Sequence, residues 1–140
     1  MNKEEIFKLM NENPVFYLAT TEDDQPKVRG MLLYRADENG IIFHTSSAKD
    51  LYSQIMKNPK VEMCFFSNGV QIRVAGVLER ITNPDICNEV YEHPTRKFLQ
   101  IWKENGIDVD GILEVFSLKK GTAVIWTMES NFAPKKSVQL

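Results

Sequence analysis

Two cationic side chains stand where one anion could hold both. The segment Thr45-Ser46-Ser47-Ala48-Lys49-Asp50 closes an apolar strand-like run and opens a helical one. The first turn of a helix presents unpaired backbone N–H groups and the positive end of the helix dipole. Lys49 sits in that turn, where its charge opposes the dipole, and hydroxyls surround it. An anion there would satisfy the N–H groups, the Thr45 and Ser46 hydroxyls and the lysine together. A plainer reading stands beside it: Ser47 caps the helix, and Asp50 three residues on completes a capping-box-like pair. Arg29, in Lys27-Val28-Arg29-Gly30-Met31-Leu32-Leu33, is a permanent charge among apolar neighbours and needs a partner or water. Gly30 beside it lets a planar ligand or another backbone approach closely. The short link from this run to Thr45 makes the two segments hairpin neighbours, so Arg29 and Lys49 can converge. The alternative for Arg29 is a solvent-facing strand position.

Further along, Gln71 and Arg73 share a strand face, and the Gln71 amide can both donate and accept, as a heterocycle edge requires. An exposed polar strand position is the competing reading. Trp126 in Ala123-Val124-Ile125-Trp126-Thr127 can cover a ring or fill an interface. Trp102 lies in a helical stretch and reads as packing. Other chemistries find little support. Cys64 and Cys87 belong to no CxxC or Cys/His cluster, and Cys64 in Val61-Glu62-Met63-Cys64-Phe65-Phe66 reads as a buried free thiol. His44 and His93 are isolated, so spacing builds no metal site. Gly-x-Ser-x-Gly and Walker-type loops are missing. Asp108 and Asp110 read as a solvated turn.

The elements that must carry these residues follow from composition and period. At 140 residues, 43% hydrophobic and 26% charged, the chain is expected to form one domain over residues 1–140. A net charge of −2 gives no global field for nucleic acid. No run approaches the roughly 20 apolar residues that span a bilayer, and the polar start predicts no secretory leader, hence a cytoplasmic protein. Ile6, Leu9 and Met10 give residues 3–11 a helical period, ended by Asn13-Pro14. Strands are predicted over 15–20, 27–35 and 41–45, with an Asn39-Gly40 turn between the last two. A helix over 48–57, a strand over 61–66 and one long strand over 70–81 come next. Helical pieces over 85–91 and 95–103, strands over 112–118 and 122–127, and an extended tail complete the order. Hairpins dominate and the βα alternation of a parallel sheet is missing, so the fold class is mainly β (α+β), an antiparallel closed or split β-barrel with flanking helices.

With these residues in order, Arg29-Gly30-Met31-Leu32-Leu33, then Phe43-His44-Thr45-Ser46-Ser47-Ala48-Lys49, Val70-Gln71-Ile72-Arg73-Val74-Ala75-Gly76 and Val124-Ile125-Trp126, the chain resembles the pyridoxamine 5′-phosphate oxidase-like FMN-binding split-barrel family. The resemblance runs from about residue 11 to 128. It implies a homodimer with FMN at the subunit interface and a small-molecule substrate. By position it implies that Arg29 and Lys49 hold the FMN phosphate with Thr45 or Ser46, and that backbone around Gly30, Met31 and Leu32 lies against the isoalloxazine. It places His44 beside the flavin, Gln71 at its polar edge from the other subunit, and Trp126 near the rings. The tail Thr127-Met128-Glu129-Ser130-Asn131-Phe132-Ala133-Pro134-Lys135-Lys136 lacks the Arg-x-His segment that ends the pyridoxamine phosphate oxidases, so vitamin B6 synthesis is not expected. Ala48 and Tyr34 stand where the family has further basic residues. The function implied is an FMN-dependent oxidoreductase. A non-catalytic flavin-binding or stress-response protein is the alternative, and haem or a deazaflavin in the same barrel ranks last.

Overall fold

Alternation of apolar and polar side chains sets most of the backbone. The computed structural model describes residues 1–140. Helix α1 (Lys3–Glu12) starts at a capping box: Asn2 Oδ1 accepts from the Glu5 N–H, and the Asn2 N–H donates to the Glu5 carboxylate. Strands β1 (Val15–Glu22), β2 (Gln25–Asp37) and β3 (Gly40–Ser46) follow, then α2 (Asp50–Lys57), β4 (Lys60–Ser67), β5 (Val70–Val77) and β6 (Glu79–Ile81). Helix α3 (Pro84–Glu92), a 3-10 turn (Pro94–Arg96), α4 (Lys97–Glu104) and the single-turn α5 (Val109–Ile112) form a helical lobe. Strands β7 (Leu113–Leu118), β8 (Thr122–Trp126) and β9 (Ser137–Gln139) end the chain. The turn at Asn68-Gly69 takes positive φ at both residues, 50° and 76°, as a primed hairpin turn requires.

All nine strands join one antiparallel sheet in the order β6-β7-β3-β2-β1-β4-β5-β8-β9. The single strand expected over 70–81 is therefore two strands: β6 pairs with β7 at one end of that order, whereas β5 lies between β4 and β8 toward the other. Leu78 makes the crossing: its side chain is buried and its N–H donates to Pro59 O. Because β5 runs directly into β6, the sheet must curl until its ends meet. Gly76 allows this closure, since a Cβ there would stand 3.0 Å from the Leu118 side chain of β7. The result is an antiparallel split barrel with flanking helices. No helix is long and apolar enough to cross a membrane.

The barrel interior is a file of phenylalanines. Phe16 stacks on Phe65 at 4.8 Å, meets Phe43 edge-on at 5.8 Å, and Phe43 reaches Phe116 at 5.9 Å. All four are fully buried, and Ile6 and Met10 of α1 plug the same core. The opposite face is also apolar but open. Val15, Tyr17, Val28, Leu32 and Phe66 all point outward from β1, β2 and β4 and are exposed. Cys64, expected to be buried, is only half-buried, because the strand alternation puts it on this outer face opposite Tyr17.

Strand β2 changes partners along its length. Residues Gln25 to Leu32 pair with β1, whereas Leu33 to Asp37 pair with β3, with a bulge that leaves Tyr34 unopposed. The β2–β3 ladder stops at Leu33 opposite Phe43. Beyond it, no pair joins Gly30, Met31 and Leu32 to His44, Thr45 and Ser46, and the two strands part.

Candidate functional site

The parting of β2 and β3 opens a cleft. One lobe, about 470 Å³, is lined by Gly30, Met31 and Leu32 on one strand and His44, Thr45 and Ser46 on the other. Phe98, Leu99 and Trp102 of α4 and four apolar residues from Ile107 to Leu113 close it, with Lys49 at its edge. A second lobe of similar volume lies against Arg29, Lys27, Gln54, Glu22 and Asp50. The lobes share Gly30, Met31, Thr45 and Lys49. The site is thus one cleft with an apolar end and a charged end, of the size expected for a small-molecule pocket.

At the charged end, Arg29 is held from behind. Its guanidinium donates to Leu18 O at 3.1 Å, Thr20 Oγ1 at 2.8 Å and Gln54 Oε1 at 2.6 Å, and Gln54 in turn donates to Glu22. Burial alone pulls its pKa below the usual arginine value, and no carboxylate pairs with it. Lys49 is also without an ion-pair partner. The capping expected from Ser47 and Asp50 does not form. Helix α2 starts two residues later than the sequence suggests, Lys49 is its N-cap, and no side chain caps it. The chain first makes a turn in which the Ala48 N–H donates to Ser46 Oγ and the Ser47 N–H to Ile112 O, and this displaces the start.

At the apolar end, His44 faces the helical lobe. Its ring lies 6.0 Å from Phe98, and Phe98 meets Trp102 edge-on at 5.1 Å. Its Nε2 accepts a hydrogen bond of 2.9 Å from Arg96 Nε. Burial first, then the charges of Arg96 and Lys49, push its pKa down to about 4. Tyr34 sits beside Arg96 and donates to Glu89; burial, then that carboxylate, raise its pKa to about 12.

Of the ten residues singled out from the sequence, Arg29, Gly30, Met31, Leu32, His44, Thr45, Ser46 and Lys49 line the cleft. Gln71 and Trp126 do not. They face each other across β5 and β8 on the outer side of the sheet, and Trp126 Nε1 donates to Asn131. Sequence reasoning missed Phe98, Trp102 and Arg96. Trp102, read as packing, is half-exposed on the cleft wall. Its signal was available: Phe98 and Trp102 are spaced i, i+4 on one helix face. Arg96 carries no local signal. Asp108 and Asp110 are structural, one accepting from the Gly111 N–H, the other paired with Lys103 at 2.7 Å.

The cleft suits a ligand with a flat apolar body and an anionic tail. Two unpaired cations and an uncapped helix start face the tail end, and the donor set matches a phosphate.

Comparison with known proteins agrees with this architecture. Residues 3–117 match the family model described as "Pyridoxamine 5'-phosphate oxidase". The pyridoxine/pyridoxamine 5′-phosphate oxidase of Escherichia coli O1:K1 is 29% identical over 112 residues, covering 76% of this chain and 51% of that protein. The chain therefore spans about half the length of the curated relatives it matches. Among solved structures, a NimC/NimA family protein from Clostridium acetobutylicum superposes with a TM-score of 0.77 at 27% identity, over 98% of this chain and 92% of that one. A pyridoxamine 5′-phosphate oxidase-related, FMN-binding protein from Nostoc punctiforme superposes with a TM-score of 0.59 at 16% identity, over 99% and 95% of the two chains. A FAD-binding protein from Mesorhizobium loti gives 0.65 at 16% identity, over 91% and 96%. With most of its length on the family model and the split barrel in place, the chain belongs to the pyridoxamine 5′-phosphate oxidase family.

Proposed function

We propose that this protein binds FMN in the cleft between β2 and β3 and acts as an FMN-dependent oxidoreductase on a small molecule. The observation that carries the reading is the two-ended cleft, with an apolar lobe that accepts a ring system joined through Gly30, Met31, Thr45 and Lys49 to a lobe with two unpaired cations. The description of one structural neighbour as FMN-binding supports the choice of ligand. Arg29, fixed by Gln54 and Thr20, and Lys49 hold the phosphate, aided by the Thr45 and Ser46 hydroxyls. The backbone of Gly30, Met31 and Leu32 lies against the rings, and Phe98 and Trp102 exclude water from one side. When bound, FMN would supply the electron transfer; the protein supplies position and electrostatics.

The same reading includes a homodimer. Leu32 and Gly30 lie both on the cleft and on the open apolar face of the sheet, so the cleft mouth borders that face. A contiguous apolar patch of this kind marks an interaction surface. A second copy seated on it would bring Gln71 and Trp126, which share the face, toward the partner's cleft. Sedimentation of wild type and Phe66→Glu tests this: a dimer that the substitution dissociates supports it, and a wild-type monomer at micromolar concentration refutes it.

The second reading, a flavin binder without turnover, rests on one feature. The cleft wall offers no carboxylic acid at its apolar end, and His44 is held neutral. FMN titration followed by anaerobic reduction with NADH or NADPH and acceptor screening separates the three outcomes. Binding with turnover supports the proposal. Binding without turnover supports the second reading. No binding overturns both.

A further inference from the structure

Arg96 is an unusual residue to find where it is. The residue is 2% exposed, yet no carboxylate lies within ion-pair distance of its guanidinium. Burying an unpaired cation is costly, so its remaining contacts must compensate. Each is to a neutral acceptor. One terminal nitrogen donates to Leu33 O at 2.8 Å, the other to Thr95 Oγ1 at 3.1 Å, and Nε donates to His44 Nε2. The Tyr34 and Phe98 rings flank it at 5.3 and 5.8 Å.

An arginine can only donate. The Arg96–His44 bond therefore requires a lone pair on His44 Nε2, and the imidazole proton must sit on Nδ1. That nitrogen has no partner within the protein and is not sealed from solvent, and His44 lines the apolar lobe. We infer that Arg96 is a positioning residue that locks His44 as the neutral Nδ1–H tautomer, so that the cleft presents one uncharged ring donor to an acceptor atom of its ligand. The inference deepens the cleft-binding reading and rests on it for the ligand, but not for the tautomer.

The surroundings agree. From the 3-10 turn, Arg96 faces the ring; from the start of α2, Lys49 does; from α4, the neutral Phe98. Glu114 of β7, opposite Thr45, is committed to Arg80 through two hydrogen bonds. Glu89 stands behind Tyr34 and is bonded to it and to Arg35. Both charges that bear on the ring are positive, and both oppose a second proton. A neutral imidazole donor keeps its strength across the physiological range and adds no charge to an apolar pocket.

Nitrogen-15 NMR of the full chain tests this directly, first as purified and then with saturating FMN. His93, the other histidine, is an internal contrast, because its Nδ1 accepts from the Thr95 N–H and its proton must sit on Nε2. The expected result is a neutral Nδ1–H tautomer for His44, with a coupling across the hydrogen bond between Arg96 Nε and His44 Nε2. In Arg96→Met the coupling disappears, Nε2–H becomes populated, and the His44 titration midpoint rises by about one pH unit or more. Arg96→Gln, whose amide can accept as well as donate, should release the lock in the same sense. A wild-type His44 carrying its proton on Nε2 overturns the inference, as does a tautomer unchanged in either folded variant. If Arg96→Met does not fold, the wild-type coupling and Arg96→Gln still decide. Failure of FMN to bind would overturn the flavin reading and leave the tautomer result standing.

Discussion

The two ends of the cleft each rest on an arginine without an anion, and they use it in opposite ways. At the charged end, Arg29 is anchored by Leu18, Thr20 and Gln54 and lines the cavity beside Lys49. At the apolar end, Arg96 lies behind the wall, and only His44, which it holds, meets the cavity. One cation is positioned to meet a ligand; the other is positioned to make a neutral side chain meet it. Charge near a pocket is thus no guide to the polarity of what binds until the direction of each donor is known.

The sharpest way to break the contrast is to remove the charged end. Arg29→Ala with Lys49→Ala should weaken FMN by about a hundredfold or more, because two charge-assisted hydrogen bonds are lost. Riboflavin, which has no phosphate, should bind the variant as it binds wild type. Fluorescence titration with both ligands measures this, and equal weakening of the two would place the phosphate elsewhere.

The apolar end predicts a pH effect of almost the same size. The His44 pKa is near 4 in the folded protein and 6.5 without the fold. Above pH 6.5 both forms are neutral and the group contributes nothing. As pH falls from 6.5 to 4 only the unfolded chain gains the proton, and stability drops by about 3 kcal/mol before levelling off. Urea unfolding across this window should show the loss in wild type. His44→Gln, whose amide oxygen can still accept from Arg96, should lack that component. Identical curves would mean that His44 is not held neutral.

Trp102→Ala should weaken FMN and riboflavin alike, by about tenfold, since it removes ring contact from the apolar lobe only. A loss confined to FMN would contradict the division of the cleft. The smallest effect belongs to Gln54→Ala. It leaves Arg29 in place but unanchored, and FMN affinity should fall about fivefold, the worth of one net hydrogen bond. No change in calorimetric titration would mean that Arg29 needs no anchor.

Much of the barrel was legible because its signals are local. Asn39-Gly40 and Asn68-Gly69 mark turns by the backbone they permit, and the alternation in residues 70–74 sorts Ile72 and Val74 inward at a glance. The cleft was legible for a related reason, since the segments Arg29 through Leu32 and His44 through Lys49 are joined by one hairpin. What stayed hidden depends on distant partners. Nothing in Gly76-Val77-Leu78 announces that the chain changes its strand partners there, because the apolar alternation runs straight through. The start of α2 is set by the Ile112 carbonyl, which lies 65 residues from Ser47. Arg96 looks like any surface arginine after Pro94-Thr95. Only the convergence of β2, β3 and α4 makes it interior, and with it the role of His44.

The crossing at Leu78 has a mechanical consequence. A single residue passes the chain from β5, inside the strand order, to β6 at its far margin, so that margin cannot fray without loading the interior. Pulling β6 from β7 strains the same peptide that anchors β5, and the two strands must open in concert. Exchange of the amides flanking Leu78 would then follow the slowest, most global unfolding of the molecule, although β6 is a three-residue edge strand. A cleft that must hold a rigid shape around a planar guest gains from a hoop fastened in this way.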